Sequence, residues 1–312
     1  MAKSESGRAK APKRPRAASA KAARAKQDAT RPFHNRIALL FDWDETLGPN
    51  SFDFLLESYG VDPARFRKKR VKPLADDGWD ITLAEMYCLI AESRSREDPL
   101  TRDHFARVGK RIQTYKGVRP MFNAVRRRAR SIVKDIDVEF YLLTCGFIDL
   151  HRHAPFAKEF TGLWGSEFHF NDEGHVEFAK QVITFQEKTL YVMATAKGLP
   201  AAGPNEPEDV YRHVAGEDMH VPFDQMIYVG DGASDMPTFA LMHQHGGLAL
   251  GVTKPDGDGS DWSGYAHMWE ERQVQNLAPA DFRRGSELLR SILLAVESIA
   301  KKIELRRLGD GE

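Results

Sequence analysis

The sequence predicts an α/β domain: a mostly parallel sheet with helices on both faces, and a helical segment inserted after the first strand. Three observations carry this. Short apolar runs at Arg36–Asp42, Val138–Thr144, Met226–Gly230 and Gly247–Thr253 read as strands buried on both faces. Stretches with apolar residues three or four apart separate them. Three of the runs end in polar residues, Asp42, Thr144 and Asp231, and in such sheets ligands bind beyond the carboxyl ends of strands.

The chain has 312 residues, 42% of them apolar, enough for one large domain with a smaller insert. No apolar run has the length of a membrane span. Two cysteines, Cys88 and Cys145, give no disulfide framework, so a reducing, cytoplasmic setting is expected. The formal net charge of zero conceals an asymmetry. Residues 1–31 hold ten Lys or Arg against two acids, and the remainder is acidic by the same margin. The first 34 residues are expected to be a disordered basic tail, acid-poor but without the apolar core of a secretory signal. A sharper reading of the tail is a weak, salt-sensitive tether to nucleic acid or an anionic surface.

After the first strand, residues 49–117 read as helical, in "SFDFLLESYG", "ITLAEMYCLIAESR" and "TRDHFARVGKRIQTY", punctuated by Asp62-Pro63 and Asp98-Pro99. The basic "RFRKKRVK" (65–72) reads as a solvated helix face. A helix over Arg119–Val133 precedes the strand ending at Thr144, and another is expected from Asp149 to Phe160. Alternating runs flank Asn171-Asp172-Glu173-Gly174, a hairpin. A helix begins near Glu187, and residues 198–225 read as a partly loop-like insertion rich in Pro and Gly. "TKPDGDGSDWSGY" reads as a further loop. An amphipathic helix spans Asp281–Leu308, with Leu288, Leu289, Ile292, Leu293, Val296 and Ile299 on one stripe. Residues 35–48 and 118–308 are thus assigned to the core.

The chemistry follows from the acids. In extended chain, positions i and i+2 point the same way, so Asp42 and Asp44 can share a pocket with Trp43 turned away. "GDGASD" brings Asp231 and Asp235 on a tight glycine turn. Carboxylates crowded together raise one another's proton affinity, and a hard divalent cation such as Mg²⁺ relieves this through oxygen ligands. A metal held by acids suits phosphate chemistry, which also needs donors for the phosphoryl oxygens. Thr144, the Cys145 and Gly146 amides, and Lys188 at a helix start are the candidates. The histidines at 151, 153, 169 and 175 fit no zinc spacing and are expected at the surface. Cys145 has no identifiable partner base and is not expected to be a nucleophile. Glu45 has no assigned task.

Together these residues resemble the haloacid dehalogenase-like hydrolases, in the branch of phosphoserine phosphatase. Asp42, Asp44 and Thr46 form the first motif, Thr144 in "LLTCGF" the second, Lys188 the third, and Asp231 and Asp235 in "GDGASDM" the fourth. The likeness spans about residues 35–255 and includes the hairpin segment. It implies a Rossmann-like core with a helical cap over residues 49–117, and a Mg²⁺-dependent phosphatase acting on a small phosphorylated metabolite. It implies Asp42 as nucleophile and Asp44 as the acid and base. Asp42, the Asp44 backbone carbonyl, Asp231 and Asp235 would hold the metal. Thr144, Cys145, Gly146 and Lys188 would hold phosphate. Ser51 stands where the branch carries the Glu that reads the substrate amine, which argues against L-phosphoserine. Two alternatives stay open: a phosphotransferase on the same scaffold, and a non-catalytic regulatory protein tethered by its tail.

Overall fold

The computed structural model describes residues 34–199, 207–232, 234–255 and 273–309. The basic tail up to residue 33, residues 200–206 of the 198–225 stretch and most of the "TKPDGDGSDWSGY" loop lie outside them.

Seven strands form one sheet in the order β4-β3-β2-β1-β5-β6-β7. They are β1 (Arg36–Phe41), β2 (Asp137–Phe147), β3 (Gly162–Phe170), β4 (Val176–Gln181), β5 (Met226–Gly230), β6 (Leu248–Thr253) and β7 (Asn276–Pro279). All neighbours are parallel except β3 and β4, the foreseen hairpin. β1 lies between β2 and β5, so the chain order reverses at its carboxyl end. That crevice is where a doubly wound sheet receives its ligand.

β1 shows why the run is apolar throughout. Ile37, Leu39 and Phe41 point into a core closed by α6 (Val118–Arg130) and α10 (Glu287–Gly309). Ala38 and Leu40 point into the opposite core, closed by α8 (Lys188–Lys197) and α9 (Met236–Gln244). Period-two alternation with both faces covered leaves no solvent side.

Between β1 and β2 the chain is helical: α1 (Ser51–Ser58), α2 (Pro63–Phe66), a π-helical turn (Arg67–Val71), α3 (Lys72–Asp76), α4 (Ile81–Arg94) and α5 (Arg102–Gly109). Side-chain caps start four of these helices. Asn50 accepts from the Asp53 amide, Asp62 from Arg65, Asp80 from Leu83 and Thr101 from His104. Their apolar faces build a third core around Leu55, Leu56, Phe66, Leu89 and Phe105. It is completed by Phe147, Leu150, Phe168, Phe170 and Val176, from β2, the hairpin and the turn between them.

Several boundaries differ from expectation. β2 runs past Thr144 to Phe147, with a register shift against β3 between Leu143 and Phe147, because Phe147 is drawn into the third core. The helix expected over 149–160 is one turn, α7 (Ile148–His151), followed by turns and a 3₁₀ turn at Ala157–Glu159. Pro155 disfavours helical backbone at Ala154. α10 begins at Glu287 rather than Asp281, since Gly285 takes φ +89° and the Ser286 hydroxyl accepts from the Leu289 amide. β7 and α9 were not foreseen. Of the four histidines, His151 is wholly buried against Trp43, not at the surface. In "RFRKKRVK", Arg65, Lys68, Lys69, Arg70 and Lys72 are exposed as expected, but Arg67 turns inward. No helix among the described residues is long and apolar enough to cross a membrane.

Candidate active site

The cleft opens at the carboxyl ends of β1, β2 and β5. Asp42 directly follows β1, and its amide donates to Val229 O of β5 at 2.9 Å. Trp43 turns away into the first core, stacked on Phe156 with centroids 5.2 Å apart. The Trp43 carbonyl accepts from the Thr46, Leu47 and Gly48 amides, which closes the loop and returns Asp44 to the cleft. Glu45 adopts φ 57° and accepts from the Tyr115 hydroxyl at 2.7 Å. The residue left without a task by sequence thus pins this loop to the segment before α6.

Asp42, Asp231 and Asp235 each present an oxygen within 4.8 Å of the others. Lys188, wholly buried at the start of α8, lies 3.0 Å from Asp42 Oδ1 and donates to Asp235 Oδ1 at 2.7 Å and to Ser234 Oγ at 3.1 Å. Asp235 Oδ1 also accepts from the Tyr228 hydroxyl at 2.5 Å. Asp235 folds back so closely that a Cβ at Gly230 would lie 2.2 Å from its Oδ2. Only glycine fits there.

Asp44 stands apart from this group. Its Oδ1 accepts from the Ser51 amide at 2.6 Å, at the first residue of α1. Its Oδ2 would lie 3.0 Å from a Cβ at Gly146, so that glycine makes room for the carboxylate. The Gly146 amide donates to Thr144 Oγ1 at 2.9 Å, which joins two of the expected phosphate contacts to each other.

Burial dominates the electrostatics. It raises Asp42 to about 7, with Asp235 and Asp44 adding to the rise and Lys188 opposing it. It raises Asp231 to about 9, helped by Asp235 and Asp42. Asp44 is also raised by burial, against the Ser51 amide. Lys188 would be lowered by burial, but Asp235 and Asp42 hold it well above its usual range. Carboxylates this reluctant to ionise together, presenting hard oxygen donors, fit a divalent cation such as Mg²⁺. Burial pushes the Cys145 thiol up to about 12, which leaves it protonated and a poor nucleophile.

The cleft holds about 250 Å³. The insert supplies its outer wall: Asn50, Phe52, Ile81, Thr82 and Glu85. Glu85 Oε1 accepts from Arg67 Nε at 3.2 Å, and burial raises its pKa to about 7 against that pairing. Arg67 also pairs with Asp53, donates to Asn50 Oδ1 and lies over the Phe52 ring. The described part of the 198–225 stretch is elsewhere. His34 at the amino end of β1 bonds Gly216 O, and Gln225 donates to His34 O. None of its described residues lines the cleft.

The structure brings all eight expected site residues to one cleft or its floor. Sequence reasoning missed Tyr228, Ser234 and Glu85, and gave Ser51 no part in holding Asp44. An apolar strand hides Tyr228, Ser234 lies inside the quoted "GDGASD" without a role of its own, and nothing local marks Glu85.

No family model matches the chain. In an alignment of 280 residues it is 24% identical to an uncharacterized protein of Borreliella burgdorferi, covering 83% of this chain and 96% of that one. A HAD family hydrolase of Salmonella enterica serovar Typhi aligns with a TM-score of 0.53 at 13% identity, over 83% of this chain and 71% of the other. A phosphoserine phosphatase in its apo form aligns with a TM-score of 0.50 at 16% identity, over 83% and 98%. A probable phosphoserine phosphatase of Vibrio cholerae gives 0.50 at 12%, over 89% and 69%. At these identities the likeness is one of architecture: the chain has the fold of the haloacid dehalogenase-like hydrolases, in the form seen in phosphoserine phosphatase.

Proposed function

We propose that the protein is a Mg²⁺-dependent phosphatase that hydrolyses a small phosphomonoester through an aspartyl-phosphate on Asp42. The observation that carries this reading is the division of labour among the acids. Asp42 shares a three-carboxylate group with Asp231 and Asp235, while Asp44 is held off it by an α1 amide.

Asp42 and Asp231 would hold the metal with the Asp44 backbone carbonyl. Asp235, already engaged by Lys188 and Tyr228, would act as a ligand directly or through water. Bound there, the metal supplies Lewis-acid stabilisation of charge on the phosphoryl oxygens. Thr144, the Cys145 and Gly146 amides, and Lys188 would orient the phosphate.

Asp42 Oδ attacks phosphorus, the bond to the leaving oxygen breaks, and Asp44 delivers its proton to that oxygen. Asp44, now a carboxylate, takes a proton from water. The water oxygen attacks phosphorus, releasing inorganic phosphate and restoring both aspartates. The raised proton affinity of Asp44 suits the first proton transfer. The helical insert would act as a cap that keeps bulk water from the intermediate.

The test is hydrolysis of p-nitrophenyl phosphate with and without Mg²⁺. Turnover is expected to need the metal and to be abolished in Asp42→Asn. Asp44→Asn should be far less impaired on this good leaving group than on an alkyl phosphate. Turnover that survives Asp42→Asn would refute the mechanism.

A further inference from the structure

Two segments join the helical insert to the core, the loop before α1 and residues 110–117. The second is bonded to the first: the Tyr115 amide donates to Leu47 O at 2.8 Å, and its hydroxyl to Glu45. At this crossing lies a cavity of about 440 Å³ that shares no lining residue with the catalytic cleft. Phe54 of α1, the linker residues 110–114 and Arg119 of α6 line it.

The charge of this cavity has one sign. Lys110, Arg111 and Arg119 are exposed, and none of these side chains forms an ion pair or hydrogen bond with a described residue. No Asp or Glu lines the cavity among the described residues. Arg36, Arg126, Arg128, Arg152, Arg306 and Arg307, by contrast, each meet an acid. Beyond the tail the chain has an excess of acids, so three cations gathered without one are not explained by a shortage. Their mutual repulsion is relieved by an anion from solution.

The other donors suit an oxyanion. The half-buried Thr114 hydroxyl, the Gln113 carboxamide and the peptide N–H groups of both residues donate to no described residue. Guanidinium forks match phosphate oxygens in pairs, and a phosphate offers donors three oxygens where a carboxylate offers two. Ile112 is buried and Phe54 half-buried, so little apolar surface faces a ligand and charge dominates recognition.

We propose that this hinge cavity is a second anion site, and that it takes a small molecule carrying two or more phosphate groups. Three cations call for more negative charge than one phosphate dianion brings. The volume admits a diphosphate with a small substituent. The site is separate from the catalytic centre and stands whether or not the phosphatase reading holds. Its occupant touches the insert, the linker and the core at once.

The probe is methylenediphosphonate, whose P–C–P bridge resists hydrolysis, titrated by calorimetry into the full chain with Mg²⁺ at about 0.15 M salt. The wild type should bind it with a Kd below about 1 mM. Arg111→Gln and Arg119→Gln should each weaken binding by about tenfold or more. Both arginines are exposed, so neither variant disturbs a core, and an unchanged Tm checks this. Lys302→Gln removes an exposed charge near the carboxyl end of α10, outside the cavity, and should leave the affinity within about twofold. Binding at the catalytic centre or to the basic tail would survive both arginine variants, and that result overturns the proposal. So does the absence of wild-type binding up to about 10 mM probe. Citrate, a carboxylate of similar charge, should bind about tenfold more weakly or worse, and equal affinity would overturn the phosphate assignment.

Discussion

Lys188 and Tyr228 meet on a single oxygen. Both donate to Asp235 Oδ1, the ammonium at 2.7 Å and the hydroxyl at 2.5 Å, and all three residues are fully buried. Burial and Asp235 hold the phenol well above its usual range, so it remains a donor. Tyr228→Phe removes one of the two donors to Oδ1 of a buried carboxylate, whose Oδ2 keeps the Gly232 amide, without opening a cavity. It should cost about 1–3 kcal/mol, read as a lower urea midpoint with an unchanged slope. An unchanged midpoint would show that the hydroxyl does not support Asp235.

Removing the ammonium is the larger insult. Lys188→Met leaves Asp42 and Asp235 buried without their cation, a loss of about 3–5 kcal/mol for a broken buried pair. Added Mg²⁺ should restore part of it by binding the folded form. Equal urea midpoints for variant and wild type in metal-free buffer would contradict this.

Metal linkage gives a readout that needs no turnover. Mg²⁺ at about one hundred times its dissociation constant should stabilise the wild type by about 2.7 kcal/mol, and EDTA should reverse it. Asp231→Asn should remove most of that shift, since Lys188 pairs directly with Asp42 and Asp235 and no Lys or Arg among the described residues forms an ion pair with Asp231. An equal Mg²⁺-dependent rise in Tm for both proteins would place the ion elsewhere.

His151 makes acid stability predictable. It is wholly buried against Trp43, its Nδ1 is 3.0 Å from Phe147 O, and burial lowers its pKa to about 4. The unfolded chain takes up that proton near the ordinary histidine pKa of about 6.5. Between these limits the unfolded state binds more protons, so stability falls as pH falls from about 6.5 to 4. The full loss is about 3 kcal/mol. Asp149 works the other way: burial raises it to about 6, so below that pH the folded state binds the extra proton. The His151 share is isolated by difference. Relative to His151→Gln, the wild type should lose about 3 kcal/mol between pH 7.5 and 4, and parallel curves would refute the assignment.

Much of this was legible in sequence because it is local. An apolar run that stops at Asp42 declares both a buried strand and what stands at its end. "GDGASD" declares its turn through Gly230 and Gly232. Contacts between distant segments were not legible. Nothing near Tyr228 marks it as a partner of Asp235, because a tyrosine in a strand reads as core. Glu85 sits in a helix whose pattern shows only helicity, and its place over the cleft depends on how the insert folds back. β7 was missed for a different reason: "NLAP" is four residues long and ends in proline, which only an edge strand accommodates. Asp149 carries no local sign that its carboxylate would accept from the Phe168 amide, across the turn into the hairpin strand.

The shared core of the insert and the hairpin has an evolutionary corollary. Phe147, Leu150, Phe168, Phe170 and Val176 belong to the sheet side of the molecule but are covered only with the help of the helices at 51–109. A lineage that discarded or exchanged those helices alone would inherit a greasy scar of three phenylalanines, a leucine and a valine beside its cleft. Insert and hairpin are therefore coupled through one packing surface, and an exchange of either would need matching apolar residues on the other.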